Sequence, residues 1–164
     1  MNMPSKEIIK EFYLCDLATS QLLAGKLAGF LNTGDIITFQ GSLGTGKTEF
    51  CRAIIHALGF KEDVPSPTFN LVQIYEPFVD DLSTPSVWHS DLYRLENPKD
   101  VLELGLEDGF DTAISLIEWP ERMENYLPDE HLQILLSMGV DEGSRKIIFK
   151  GSNYWLLRLK ELEL

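Results

Sequence analysis

Four residues in the stretch GSLGTGKTEF, positions 41–50, have the types and spacing of a phosphate-binding loop. Gly41 is followed, after four residues, by Gly46, Lys47 and Thr48, which fits the pattern G-x-x-x-x-G-K-[ST]. Glycines in such a loop let backbone N–H groups point at phosphates without obstruction by a Cβ. The Lys47 ammonium would reach the β- and γ-phosphates, and the Thr48 hydroxyl would bind Mg²⁺. The stretch therefore predicts a site for a nucleoside triphosphate.

Magnesium at such a loop also needs a carboxylate, usually at the end of a neighbouring strand. Asp91 ends the apolar run VWHSD (87–91), and Glu118 lies near the end of AISLIEW (113–119). Both should reach the C-terminal edge of the sheet, where open α/β folds bind ligands. One would hold the metal and the other would orient the attacking water, and the sequence does not rank them. Each alone could also be an acid on the surface.

Four further side chains have both a functional and a structural interpretation. Thr68, in SPT (66–68), would bind phosphate or Mg²⁺ in a switch loop, or would belong to a proline-fixed turn. Trp119 would border the cleft or fill the core, and His89 would hydrogen-bond in the site or serve the fold alone. Arg94 would stabilise phosphate charge or pair with a local acid.

The base is predicted to be adenine. Guanine specificity normally shows as N-K-x-D, and the closest stretch here, NPKD at 97–100, does not fit that pattern. Apolar residues near the first strand and helix would build the adenine slot, with Leu14, Leu17 and Thr19 as candidates. We therefore expect ATP and Mg²⁺ as the bound groups.

The elements that must position these residues alternate between strands and helices. Strands are predicted at 8–14, 36–40, 69–75, 87–91, 113–119, 131–138 and 145–151. Helices are predicted at 20–32 with Thr19 as N-cap, from Lys47 to about 58, at 98–110 with a break at Gly105, after Pro120, and at 153–164. This order predicts an α/β phosphate-loop NTPase fold, with residues 1–164 forming one domain. A central, mostly parallel sheet would carry helices on both faces and a C-terminal antiparallel hairpin.

The charge of the chain limits its partners. With 164 residues and a formal net charge of −12, the surface should repel nucleic-acid backbones and anionic membranes, while a basic protein partner suits it. No signal peptide and no apolar run of bilayer length is present, so we expect a cytoplasmic protein. Cys15 and Cys51 suggest no disulfide framework, and Cys51 should be a buried thiol.

Several motifs together resemble one known family. GSLGTGKTEF, SPTFNLV, HSDLYRL and SLIEWPERM, in this order and spacing across about residues 14–138, are similar to the TsaE (YjeE) family. The resemblance implies a bacterial ATPase required for N6-threonylcarbamoyladenosine at position 37 of tRNA. It also implies action on a TsaB–TsaD protein complex, with tRNA contacted only indirectly. Hydrolysis would then reset the complex between turnovers.

The resemblance also assigns residues to the site. ATP would be held by Leu43, Gly44, Thr45, Gly46, Lys47 and Thr48. Mg²⁺ would be held by Thr48 and Glu118, Asp91 would take the Walker-B-like position, Thr68 would act in the switch loop, and Trp119 would border the site. The candidate catalytic residues are Lys47, Thr68, Asp91 and Glu118.

Two departures from the family pattern should leave phosphate binding intact, because the loop backbone holds the phosphates. Ser42 stands where many members have an acidic residue, and the proline-marked excursion at 76–86 is longer than in some relatives. Both bear on partner contacts. Two other functions remain open from the residues alone: a small-molecule kinase, against which the lack of an arginine-bearing lid counts, and a non-catalytic nucleotide-dependent interaction module.

Overall fold

The computed structural model describes residues 6–164, which form one seven-stranded sheet with helices packed against it. The strands are β1 (Glu7–Leu14), β2 (Ile36–Gln40), β3 (Val72–Tyr75), β4 (Val87–Asp91), β5 (Ile114–Glu118), β6 (Leu132–Met138) and β7 (Arg145–Gly151). The helices are α1 (Leu17–Ala28), α2 (Lys47–Ala57), α3 (Asp100–Glu103), α4 (Leu106–Thr112) and α5 (Asn153–Arg158). A 3-10 helix covers Pro120–Tyr126, so the helix predicted after Pro120 is of this tighter type.

The sheet has a parallel centre and antiparallel edges. Its order is β1-β7-β6-β2-β5-β4-β3, and the four central strands β6, β2, β5 and β4 are parallel. On one side β7 pairs antiparallel with β6 and β1, and on the other β3 pairs antiparallel with β4. The predicted α/β class, parallel centre and C-terminal hairpin are confirmed. The antiparallel edge at β3 is an addition that the sequence did not indicate.

Apolar side chains alternate between the two faces of the sheet. In β2, Ile37 and Phe39 face a core shared with α1 and α2, while Ile36 joins a smaller core on the other face. That smaller core includes Leu106 of α4 and Met123 of the 3-10 helix. Burial on both faces explains why the central strands are almost continuously apolar. The prediction of helices on both faces is confirmed.

The N-cap predicted for the first helix is wrong by three residues. Asp16 caps α1, because its Oδ1 accepts from the Thr19 backbone N–H at 2.8 Å and from the Thr19 hydroxyl at 2.6 Å. Thr19 therefore lies within the first turn. An ionised carboxylate at the N-cap also interacts favourably with the helix dipole, which favours Asp16 over a threonine.

Two other boundaries differ from the predicted ones. The strand predicted from residue 69 begins only at Val72, because Leu71 has φ = 64° and interrupts the extended backbone. The closing helix ends at Arg158, and the chain beyond it turns so that Leu159 and Leu162 enter the main core. The break at Gly105 is confirmed: this residue has φ = 69° and separates α3 from α4.

Among residues 6–164, no helix has the length and apolar character needed to cross a bilayer. The longest helix of this part of the chain, α1, has 12 residues.

Candidate nucleotide site

The C-terminal ends of three parallel strands meet around one cavity. The loop at 41–46 follows β2, Asp91 ends β4 and Glu118 ends β5. Asp91 and Glu118 are directly paired across the β4–β5 register, which places the two acids side by side. The cavity has a volume of about 330 Å³. Its lining residues are Leu17, Leu43, Gly44, Gly46, Lys47, Thr48, Glu49, Ser66, Thr68, Asp91, Glu118, Trp119 and Arg145.

Glycine is required at two positions of the loop. A Cβ on Gly41 would collide with the Leu136 carbonyl oxygen, which belongs to the backbone of β6 and cannot easily move away. Gly46 has φ = 99° and stands at the N-cap of α2, in a conformation that other residues rarely adopt. The loop thereby delivers the first turn of an 11-residue helix, with its partial positive charge, into the cavity.

Lys47 is folded against the loop. Its ammonium donates to the carbonyl oxygens of Gly41 at 2.6 Å and Ser42 at 2.8 Å, and it lies 4.4 Å from the centre of the Trp119 ring. Burial lowers the pKa of Lys47, and the nearby carboxylates of Glu118 and Asp91 oppose that shift. Among residues 6–164 Lys47 forms no ion pair. Its partly desolvated positive charge is therefore balanced only by carboxylates at longer range. A bound anion would relieve this cost.

Glu118 joins the phosphate-loop helix to the sheet. Its Oε1 accepts from the Thr48 hydroxyl at 2.8 Å, and its Oε2 is 2.7 Å from His89 Nε2. Glu118 is 1% exposed. The two residues predicted to hold Mg²⁺ are thus in direct contact, and they offer the oxygen ligands that this metal prefers.

Asp91 joins a different element, the loop at 66–71. Its Oδ2 accepts from the Thr68 hydroxyl at 2.9 Å, and its Oδ1 accepts from the Tyr93 backbone N–H at 3.0 Å. Its own backbone N–H donates to the Leu71 carbonyl at 2.9 Å. The Ser66 and Thr68 hydroxyls are 2.6 Å apart. Asp91 therefore fixes the predicted switch loop through both side chain and backbone.

Trp119 forms one wall of the cavity. It has φ = 58°, an uncommon conformation for a bulky residue, and its ring lies 4.8 Å from that of Tyr93. With this turn after β5, the indole lies over the Lys47 ammonium. Of the two interpretations from sequence, the structure places Trp119 at the cleft.

Not all predicted residues line the cavity. Thr19 is used in capping α1, Leu14 is buried in the main core, and the Thr45 hydroxyl donates to Ser42 within the loop. Of the adenine-slot candidates, Leu17 lines the cavity. Arg94 does not line it: its guanidinium lies 4.5 Å from the Phe69 ring, and among residues 6–164 it forms no salt bridge with an acid. Cys51 is buried, as predicted.

Arg145 lines the cavity and was not predicted to do so. Its Nε donates to the Thr45 carbonyl at 3.2 Å, and its Nη1 donates to the Gly143 carbonyl at 2.7 Å. It begins β7, about a hundred positions along the chain from the loop it contacts. Its sequence neighbours carry no motif, so only the tertiary fold brings it to the site.

Comparisons with known proteins agree with this geometry. The family model for "Threonylcarbamoyl adenosine biosynthesis protein TsaE" matches residues 14–147. The chain belongs to the TsaE family. A TsaE protein from Rickettsia felis is 40% identical over 124 residues, which are 75% of this chain and 69% of that protein. A TsaE protein from Bacillus subtilis is 35% identical over 141 residues, 84% of either chain.

A solved TsaE-like structure shares the fold. The crystal structure of YdiB from Bacillus subtilis superposes with a TM-score of 0.77 at 26% identity, covering 99% of this chain and 97% of that one. The resemblance predicted from the four motifs is confirmed, and with it the phosphate-loop fold. TsaE proteins take part in the biosynthesis of threonylcarbamoyladenosine in tRNA, and this chain is one of that family.

Proposed function

We propose that this TsaE protein binds ATP with Mg²⁺ and hydrolyses it in support of tRNA threonylcarbamoyladenosine formation, acting on a TsaB–TsaD complex. One observation carries the proposal. Three features come together at one cavity: a loop that needs glycine at positions 41 and 46, a buried ammonium without an ion pair among residues 6–164, and a direct Thr48–Glu118 contact. Each meets a different need of a magnesium-bound triphosphate.

The residues fit these groups by their chemistry. The loop amides, the first turn of α2 and Lys47 would neutralise the phosphates. Thr48 and Glu118 would hold Mg²⁺, which when bound supplies positive charge that orients the phosphates and stabilises the transition state. Leu17 and Leu43 supply apolar surface for the base, and Trp119 lies over Lys47 beside the phosphate end.

Asp91 is the residue we assign to the attacking water. Asp91 pairs with Glu118 across the β4–β5 register, but its side chain accepts a hydrogen bond from Thr68 and not from Thr48. It could therefore hold a water molecule on the side of the cavity next to the switch loop. In hydrolysis the water oxygen adds to the γ-phosphorus, the bond to the ADP oxygen breaks, and phosphate and a proton are released. Asp91 and Thr68 would orient that water along the line of attack.

The charge of the chain supports indirect contact with tRNA. A net charge of −12 opposes a tight grip on a phosphate backbone, so other subunits would hold the RNA. Hydrolysis in this TsaE protein would then reset a protein complex without touching the modified base. Such a reset requires that the ATP-bound and ADP-bound forms differ in affinity for TsaB–TsaD.

The test compares nucleotide binding, phosphate release and tRNA modification by the wild type and by Lys47→Ala, with and without TsaB–TsaD. Loss of the ammonium should weaken nucleotide binding roughly 10- to 100-fold, the value of a charge-assisted hydrogen bond. Lys61→Ala, at an exposed position outside the cavity, is the matched control. Full tRNA modification with Lys47→Ala would refute the ATP-dependent role. Phosphate transfer to a metabolite would identify a kinase instead, and binding without release would identify an interaction module.

A further inference from the structure

His89 is a fully buried histidine whose side chain makes one hydrogen bond among the described residues, and that bond is to Glu118. Its Nε2 lies 2.7 Å from Glu118 Oε2, and both side chains are almost inaccessible, at 0% and 2% exposure. A carboxylate oxygen only accepts, so the proton lies on Nε2 and His89 is the donor. The contact joins β4 to β5 behind the cavity.

The two oxygens of Glu118 have separate partners. Oε1 accepts from Thr48 on α2, and Oε2 accepts from His89 on β4. A carboxylate held at one oxygen could still rotate about its last bond, whereas one held at both has a fixed plane. His89 thereby determines which oxygen Glu118 presents to the Thr48 hydroxyl.

The other side of the imidazole has no polar role. Among the residues that the structure describes, none hydrogen-bonds with His89 Nδ1, which is also shielded from solvent. The neighbouring polar group is the thiol of Cys51, a ligand-type atom within 4.8 Å of those of His89 and Glu118. Burial raises the pKa of this thiol well above its usual range, so it stays a neutral packing neighbour. The ring therefore has a single polar function, at Nε2.

We propose that His89 is a positioning residue that orients the Glu118 carboxylate for Mg²⁺. The inference deepens the proposed function and rests on it, because it assumes that Glu118 and Thr48 hold the metal. Losing a partner that orients a metal ligand typically costs about 10- to 100-fold in metal affinity or activity. Losing the His89 bond should therefore weaken the magnesium-dependent part of nucleotide binding and leave the part due to Lys47 and the loop.

Three substitutions separate the hydrogen bond from simple packing. His89→Gln places an amide N–H near the position of Nε2, whereas His89→Asn places one near Nδ1, and His89→Met fills the space with no donor. His56→Gln is the control, since His56 is exposed near the end of α2 and bonds to the Glu62 carbonyl. Calorimetry would measure binding of a non-hydrolysable ATP analogue in EDTA and across a magnesium titration.

We expect all variants to bind the analogue in EDTA as the wild type does. The magnesium concentration at the midpoint should rise roughly 10- to 100-fold for His89→Asn and His89→Met and stay near the wild-type value for His89→Gln and for the control. Equal midpoints for the three His89 variants would overturn the positioning role. A wild-type chain that binds no analogue would instead refute the nucleotide function itself, so the two failures are distinguishable.

A second measurement needs no variant and covers the case in which His89→Asn and His89→Met do not fold. Nitrogen-15 NMR of the histidine rings reports which nitrogen carries the proton and whether it is hydrogen-bonded. We expect the Nε2–H tautomer for His89, with the shift of a proton donated to a carboxylate. An Nδ1–H tautomer would contradict the contact on which the proposal depends.

Discussion

The charge of Glu118 can be removed without breaking its hydrogen bonds, which makes Glu118→Gln the most informative substitution in this TsaE protein. The carboxylate accepts from Thr48 at 2.8 Å and from His89 at 2.7 Å. In the Glu118→Gln variant the amide oxygen still accepts from His89. The amide nitrogen donates to the Thr48 hydroxyl, which can act as an acceptor instead. The contacts with His89 and Thr48 are kept and the negative charge is lost, while the second amide N–H and the Thr48 O–H can face the cavity.

The sizes of the expected effects follow from this geometry. Since the second amide N–H and the Thr48 O–H can turn toward the cavity that both residues line, the penalty of about 1–3 kcal/mol for an orphaned buried group should be largely avoided, and the melting temperature should change little. A lost charged contact in the transition state typically costs about 2.7–4 kcal/mol, so kcat should fall roughly 100- to 1000-fold. Nucleotide affinity in EDTA should hold or improve, because one carboxylate near the phosphates no longer repels them.

The assay pairs phosphate release in the presence of TsaB–TsaD with calorimetry in EDTA and thermal melting. Glu118→Ala is the comparison, since it leaves both His89 and Thr48 without their acceptor and should lower stability as well as turnover. If the Glu118→Gln variant lost metal-free binding as much as turnover, or melted as early as the Glu118→Ala variant, Glu118 would be a structural residue. The assignment of Mg²⁺ to it would then be wrong.

Two further substitutions test the switch loop and the fold. Thr68→Val removes the hydroxyl that donates to Asp91, and because a hydrogen bond to a charged group contributes about 1.5–3 kcal/mol, we expect turnover to be slower by roughly tenfold or more with unchanged nucleotide affinity. Thr68→Ser should retain the wild-type rate, and equal rates for the two variants would refute a role for the hydroxyl. Arg158→Ala breaks the pair in which Arg158 donates to both oxygens of Asp35 at 2.7 Å, and urea unfolding should show a loss of about 3 kcal/mol. Because this pair lies outside the cavity, nucleotide affinity should not change, and a change of affinity without one of stability would contradict that view.

The parts of the site that the sequence predicted depend on short-range pattern. The phosphate loop is recognised from glycines at fixed spacing within eight residues, although only the need at Gly46 is local, a left-handed backbone, while the need at Gly41 comes from the backbone of β6. Asp91 and Glu118 were found because each ends an apolar run, and parallel strands bring such ends to one edge. That argument predicted proximity but could not predict which acid meets Thr48, since the choice depends on how α2 packs on the sheet.

The parts that the sequence did not predict depend on long-range or closely balanced interactions. Arg145 reaches the phosphate loop only because β7 closes the sheet beside β6, and no local pattern marks it. At the start of α1, Asp16 and Thr19 are both residue types that cap helices well. In the structure Asp16 is the N-cap, and its carboxylate accepts from the Thr19 backbone N–H. The predicted strand begins only after Leu71, which has φ = 64° and whose N–H donates to the Pro67 carbonyl in a turn that the apolar pattern does not show.

The two acids at the strand ends contact different elements of the fold. This difference bears on how a change from bound ATP to bound ADP could alter the surface that a partner protein contacts. The Glu118 carboxylate is hydrogen-bonded to side chains of α2 and β4, which both pack into the core, so its position is fixed. Asp91 is bonded to the loop at 66–71, in which Phe69 is 82% exposed and Leu71 has a positive φ. A change at the γ-phosphate position would thus be absorbed by the element with fewer packed contacts and a strained backbone.

It follows that the loop at 66–71, more than the phosphate loop, should carry the difference between the ATP-bound and ADP-bound forms to a partner protein. The exposed Phe69 ring is within reach of such a partner, while Thr68 beside it contacts Asp91 in the cavity. Phe69→Ala should therefore leave nucleotide affinity unchanged and weaken only the nucleotide-dependent part of binding to TsaB–TsaD, which pull-downs with ADP and with the ATP analogue would measure. Equal weakening in both nucleotide states would mean that Phe69 is a constant contact, and the signal would have to leave the site through another element.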